Sequence, residues 1–209
     1  MKYKFYFRKS SFKKDLKNGN FLLNLISEFK PKNVLEIGVL EGATSRNICE
    51  LLYKENKENF NFIGIDLFGE DLKENNPKEF TPISYKINNP LKWIYFKLIL
   101  KMRPNSKECV EFLLRKFKNS INIFKGYSKD FLKKMDLSHI DFVFVDGGHS
   151  YETVSEDLNL LISKLKKNSI IICDDYNIKH YGVRRAVNEV KNLHEFEDHE
   201  RFALLKIKK

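Results

Sequence analysis

Two short acidic clusters carry the clearest chemistry in this 209-residue chain: Val145-Asp146-Gly147-Gly148-His149-Ser150-Tyr151 and Cys173-Asp174-Asp175-Tyr176. Each follows a short apolar run of the kind that forms a buried strand. With the two runs as neighbours in one sheet, Asp146, Asp174 and Asp175 converge at a single edge. Unpaired, three carboxylates would raise one another's pKa. A hard divalent cation relieves that repulsion, and oxygen donors suit Mg2+ better than Zn2+. The plainer alternative is that Asp174 and Asp175 cap a loop. A cation here would bind an acceptor oxygen and lower its pKa. His149, three residues beyond Asp146, is the candidate base; it could equally be a further ligand or contact the acceptor.

A second constellation lies earlier. Glu36-Ile37-Gly38-Val39-Leu40-Glu41-Gly42-Ala43-Thr44-Ser45 joins an apolar run to a helical pattern. Gly38 and Gly42 allow a sharp turn and a close approach of backbone to ligand. The helix that follows offers free N–H groups. The spacing is GxxxG rather than the GxGxxG of a pyrophosphate loop, and Glu36 suits a cationic part of a ligand. Asp66 ends the next apolar run, where a carboxylate can accept both hydroxyls of a ribose. Ser128, in Gly126-Tyr127-Ser128, could bond an adenine edge or cap a helix. A cofactor-free glycine turn and a loop-capping Asp66 are the alternatives. The two features one βα unit apart are more specific than either alone.

The elements that must position these residues are legible as alternating apolar and helical stretches. Strands are expected at Asn33–Ile37, Asn61–Asp66, Ile121–Phe124, Asp141–Val145, Ser169–Cys173 and Phe202–Ile207. Helices are expected at Ala43–Tyr53, Tyr151–Lys166 and Val183–Leu193. Strands apolar throughout belong in a parallel sheet covered on both faces, so the expectation is one α/β, doubly wound domain over residues 1–209. In such sheets ligands lie beyond the carboxyl ends of the strands.

Residues 69–106 break the rhythm, being too long for a βα connection. They contain four of the five prolines and the single tryptophan, and no Asp or Glu occurs from Phe80 to Lys107. The segment reads as an inserted lid or acceptor-recognition element. Its run Leu91–Lys101 could instead pack on the core with a lysine rim, or touch a membrane surface.

Composition bounds the function. The chain is 42% hydrophobic, with 18 Phe and 9 Tyr, which excludes a disordered chain. A net charge of +10 is compatible with anionic partners, yet it is spread along the chain and no nucleic-acid-binding signature accompanies it. Cys49, Cys109 and Cys173 form neither a disulfide framework nor a zinc pattern. With no signal-peptide core and no 18-residue apolar run, a cytoplasmic protein is expected.

On these residues the chain resembles the class I S-adenosylmethionine-dependent methyltransferases. EIGVLEGAT is similar to their glycine-rich first motif, and FIGIDLF to their second. GYSKDFL is similar to the turn that borders adenine in small-molecule O-methyltransferases. The resemblance covers roughly residues 30–68 and 120–207 and implies a Rossmann-like, mostly parallel seven-stranded sheet. It implies a cofactor site of Glu36, Gly38, Gly42, Thr44, Asp66, Leu67, Ser128 and Asp146, with Thr44 near the methionine carboxylate and Leu67 beside the ribose or adenine. VDGGHSYE followed by DDY is similar to a bacterial group that includes sugar and macrolide O-methyltransferases. Asp146, Asp174 and Asp175 would then hold Mg2+, with His149 where catechol-type relatives carry a lysine base. Gly148 stands where metal-dependent sugar enzymes carry a second Asp, which puts a carboxylate base in doubt. The expected activity is cation-assisted O-methylation of a small-molecule or sugar hydroxyl. Alternatives are a metal-independent methyltransferase acting on N or O, a nucleotide-binding oxidoreductase and a non-catalytic binding module. Related proteins are often homodimers.

Overall fold

The computed structural model describes residues 1–69, 87–178 and 182–208. Its strands are β1 Asn33–Ile37, β2 Asn61–Asp66, β3 Ile121–Lys125, β4 Phe142–Val145, β5 Ile170–Cys173, β6 Glu195–His199 and β7 Phe202–Lys206. They form one seven-stranded sheet in the order β3-β2-β1-β4-β5-β7-β6. The first five run parallel, and β7 is antiparallel to both its neighbours. The α-helices among the described residues are α1 Leu16–Phe29, α2 Ala43–Asn56, α3 Pro90–Trp93, α4 Lys107–Leu114, α5 Ser128–Lys134, α6 Tyr151–Lys164 and α7 Val183–Val190. This is the expected doubly wound architecture.

Alternate residues of a strand face opposite sides, and here both sides are covered. Phe62, Phe142, Phe144 and Ile172 pack with Leu22, Ile26, Ile48 and Leu114 of α1, α2 and α4. Leu35, Ile37, Val143 and Val145 pack with Leu132, Val154, Leu158 and Val187 of α5, α6 and α7. Burial on both faces explains why the strands read as continuous apolar runs.

Strand β6 and helix α1 are among the elements without a sequence reading. Strand β6 is charged and largely exposed, Glu-Phe-Glu-Asp-His at the sheet edge. Charge on an edge strand discourages pairing with other chains, and it also hides the strand from a hydrophobic scan. Helix α1 is capped by Asp15, whose carboxylate accepts from Asn18 N at 3.3 Å. A Cβ on Gly19 of α1 would stand 2.8 Å from the Tyr3 ring. That glycine seats the N-terminal segment against α1.

The segment expected as an insertion, 69–106, falls partly outside the described residues. From residue 87 onward it contains α3, which continues as a π-helical turn over Ile94–Ile99. Phe96 alone of that turn is buried. No helix among the described residues is long and apolar enough to cross a membrane.

The register levels the strand ends. Ile37 pairs with Ile65 and Val145, Val145 with Cys173, and Cys173 with Ala203. Gly38, Asp66, Asp146 and Asp174 therefore leave the sheet side by side, and β1 and β4 flank the switch point where such folds bind ligands. Because β7 runs the other way, its start, preceded by Arg201, lies at this same edge.

Candidate functional site

The glycine loop is built for close approach. Gly38 has φ +93°, and a Cβ there would lie 2.1 Å from the Asp146 carbonyl oxygen. Any side chain would force β1 and β4 apart at their exits. Gly42, at φ +78°, caps the start of α2. Asp66 holds the loop shut: Oδ2 accepts from Val39 N and Leu40 N, both at 2.8 Å, and Oδ1 from Phe68 N at 2.6 Å. A carboxylate offers roughly four acceptor positions, so Asp66 retains about one. The expectation that it takes both ribose hydroxyls meets a group largely engaged with its own backbone. Burial raises the Asp66 pKa, and these three N–H groups oppose the rise.

Glu36 lies beneath the loop, fully buried. One carboxylate oxygen accepts from the Ser45 hydroxyl, while Oε1 has no partner. Burial, aided by the charge of Asp66 and opposed by Ser45, pushes its pKa up to about 8. A buried acceptor left unpaired costs about 1–3 kcal/mol, and one cationic or N–H group of a ligand would satisfy it.

The other expected cofactor residues are placed less directly. Thr44, in the first turn of α2, shares a 2.8 Å hydrogen bond with the Tyr3 hydroxyl, which also meets Ser10 at 2.7 Å. Leu67 is half-buried between Asp66 and Phe68. Ser128 is the first residue of α5 rather than its cap, which is Tyr127. Its hydroxyl donates to the Asp157 carboxylate at 2.8 Å, so it ties α5 to α6.

At the other side of the switch point, one donor atom each from Asp146, His149 and Asp175 lies within 4.8 Å of the others. His149 Nε2 is 3.2 Å from Asp175 Oδ2. Asp174, expected as a ligand beside Asp146 and Asp175, is not one of these three. Its side chain is 1% exposed and is gripped by Arg201, with Nε on Oδ1 and Nη2 2.6 Å from Oδ2. It also accepts from Asp175 N at 2.8 Å, a backbone contact of the kind the loop-capping alternative expects. The left-handed turn at Asp175, φ +55°, explains how two adjacent acids point to different partners. Arg201 Nη2 reaches Asp175 Oδ1 at 3.2 Å as well. Burial, then the charges of Asp174 and Asp175, holds the Asp146 carboxyl well above the usual range; Arg201 and Ser11 oppose this.

Sequence reasoning did not find Arg201 or the N-terminal strap. Ser11 Oγ donates to Asp146 Oδ2 at 3.0 Å, and Lys9 N donates to the buried Glu41 at 2.7 Å. Arg8, buried, donates to Pro104 O at 3.3 Å and lies over the Phe96 ring. No motif marks these residues, although Ser10 before a helical turn is a readable cap. Arg184 and Arg185 stack on Tyr176 and Tyr151 at 5.6 and 3.9 Å from the ring centres.

A family model described as a methyltransferase domain matches residues 35–176, from β1 to the end of the second acidic cluster. The chain belongs to this methyltransferase family. No curated protein matches its sequence. Among solved structures, the methyltransferase is similar to the O-methyltransferase NovP, at 16% identity and TM-score 0.63, covering 92% of this chain and 79% of that one. It is similar to TomG from Streptomyces achromogenes, an O-methyltransferase of tomaymycin synthesis solved with S-adenosylmethionine, at 13% identity and TM-score 0.59 over 93% and 81%. It is also similar to CalS11, a TDP-rhamnose 3'-O-methyltransferase of calicheamicin biosynthesis, at 18% identity and TM-score 0.57 over 92% and 78%. At these identities the likeness is one of fold.

Proposed function

We propose that this methyltransferase uses S-adenosylmethionine to methylate a hydroxyl of a small molecule or sugar, assisted by a divalent cation. The observation that carries the proposal is the meeting of Asp146, His149 and Asp175 beside the Gly38–Gly42 loop. Glu36 Oε1 offers the unpaired acceptor that the donor's amine would fill, and the N–H groups at the start of α2 would receive its carboxylate. The first and second motifs and the solved neighbours' ligands support this donor.

Charge balance supports the cation. Arg201 pairs with Asp174 and Asp175 and acts on Asp146 through its charge, so the three acids, once ionised, would leave two negative charges for a divalent ion. Asp146, Asp175 and His149 would hold it, in place of the trio Asp146, Asp174 and Asp175. One imidazole among two carboxylates suits Mn2+ as well as Mg2+. When bound, the ion supplies a Lewis acid that lowers the acceptor hydroxyl's pKa. The chain's residues align acceptor oxygen, methyl carbon and sulfur. The acceptor oxygen, its proton released to solvent, forms its bond to carbon as the carbon–sulfur bond breaks, giving S-adenosylhomocysteine. A second reading, favoured by the 3.2 Å His149–Asp175 pair, needs no cation: His149, oriented by Asp175, takes the acceptor proton itself. The three buried free thiols fit the cytoplasm.

The test is methyl transfer from labelled S-adenosylmethionine to a panel of sugar and phenolic hydroxyl acceptors, after EDTA and after restoring Mg2+ or Mn2+. Loss with EDTA, and loss of at least about 10-fold in Asp175→Asn with S-adenosylhomocysteine affinity retained, is expected. A full rate in EDTA that His149→Ala abolishes selects the second reading. No detectable affinity for S-adenosylhomocysteine refutes both.

A further inference from the structure

The helical segment from Pro90 to Ile99 leaves an apolar surface uncovered. Leu91, Trp93, Ile94, Leu98 and Ile99 are 42–67% exposed, while Phe96 alone is buried beneath them. Phe7 of the N-terminal strap, 44% exposed, extends the patch by packing against Tyr95. Clustered aliphatic and tryptophan side chains on one short element are not ordinary surface decoration. The charges along this stretch of chain have one sign. Lys92, Lys97, Lys101, Arg103 and Lys107 fall in the stretch from Phe80 to Lys107, which has no acid. Of these, Lys97, Lys101 and Arg103 are exposed.

We propose that this face docks on an anionic lipid surface. An apolar face with tryptophan, on a stretch whose charged residues are all cations, matches the headgroup–acyl boundary of an anionic bilayer, where apolar burial and charge attraction add. The two other occupants fit less well. A second copy meeting this face across a twofold axis would bring like charges together. A nucleic acid would meet the cations but leave the aliphatic side chains without apolar cover. Docking is peripheral, since no helix among the described residues can span a bilayer. The patch also connects to the candidate site. Phe96 lies on Arg8, and the strap carrying Arg8 continues to Ser11 on Asp146. Lipid contact would therefore sit at the rim of the active-site edge. The inference stands apart from the donor and cation readings.

Trp93, the only tryptophan of the chain, reports on it directly. The full chain is titrated with phosphatidylglycerol/phosphatidylcholine vesicles and with pure phosphatidylcholine vesicles. The expected result is a blue shift of Trp93 emission and quenching by brominated lipid, strong with anionic vesicles and weak without. Lys97→Glu is expected to weaken binding at least about fivefold. Leu98→Glu combined with Ile99→Glu is expected to abolish it with the circular dichroism spectrum unchanged, both positions being exposed. Absence of a Trp93 shift on anionic vesicles overturns the proposal, and that reading needs no variant. Undiminished binding in the Leu98/Ile99 variant shows adsorption by charge alone and overturns it too. A lipid-free dimer in sedimentation, with Trp93 emission already blue, assigns the face to a second copy instead.

Discussion

Glu36 shows how one buried side chain can couple ligand binding to pH. Its folded pKa, about 8, lies above the ordinary carboxylate value, so the folded protein holds a proton that the unfolded chain has released. Between roughly pH 4.5 and 8 the native state therefore binds more protons, and stability falls as pH rises through that window. Glu36→Gln is expected to flatten this slope in denaturant titrations across pH. An ammonium group arriving at Oε1 needs the ionised form, so S-adenosylhomocysteine affinity is expected to rise toward pH 8 in the native protein and to stay level in Glu36→Gln. Calorimetry at a series of pH values checks it; a native affinity independent of pH would remove the amine from Glu36. The identity of Glu36 was readable from its place before Gly38. Its isolation was not, because burial depends on what α2 lays over it.

At the scale of elements, the antiparallel strand β7 decides how the acids divide. Its reversed direction brings Arg201 to the carboxyl ends of the parallel strands, where it neutralises the 1%-exposed Asp174. Breaking a buried pair leaves an uncompensated charge and costs about 3–5 kcal/mol. Arg201→Ala is expected to lower the unfolding free energy from urea titration by that much, and Asp174→Asn by less, since it removes the stranded charge rather than its partner. Equal and small losses from both would show the pair to be solvated. The N-terminal strap contributes to the same edge through Ser11. Neither element announces itself in a motif, because each reaches the site by a contact between residues far apart in the chain.

For the whole molecule, the levelled strand ends imply a site that is largely formed before ligand arrives. A ligand that binds only the native state at 100 times its dissociation constant stabilises by about 2.7 kcal/mol, which for a domain of this size raises Tm by about 5–10 °C. That shift is expected with S-adenosylhomocysteine and not with NAD, by differential scanning calorimetry. A shift with NAD alone would revive the oxidoreductase reading, which the GxxxG spacing already disfavours.

Local pattern alone determined much of this protein. Apolar runs marked β1 to β5 and β7, and the residues that follow β1, β2, β4 and β5 were singled out because parallel sheets bind ligands there. Gly38 and Gly42, whose φ angles are positive, and the closeness of His149 to Asp146, three residues apart, rest on spacing that survives folding unchanged. The tertiary structure alone decided which acid remains available. Asp174 and Asp175 are adjacent and chemically alike; an arginine 26 residues beyond Asp175, delivered by a strand running the opposite way, takes the first and leaves the second facing His149. Strand β6 escaped because edge strands are charged, and the strap because its burial comes from α1, α2 and the glycine loop. Periodicity reports a residue's neighbours along the chain, whereas charge pairing and capping depend on neighbours in space.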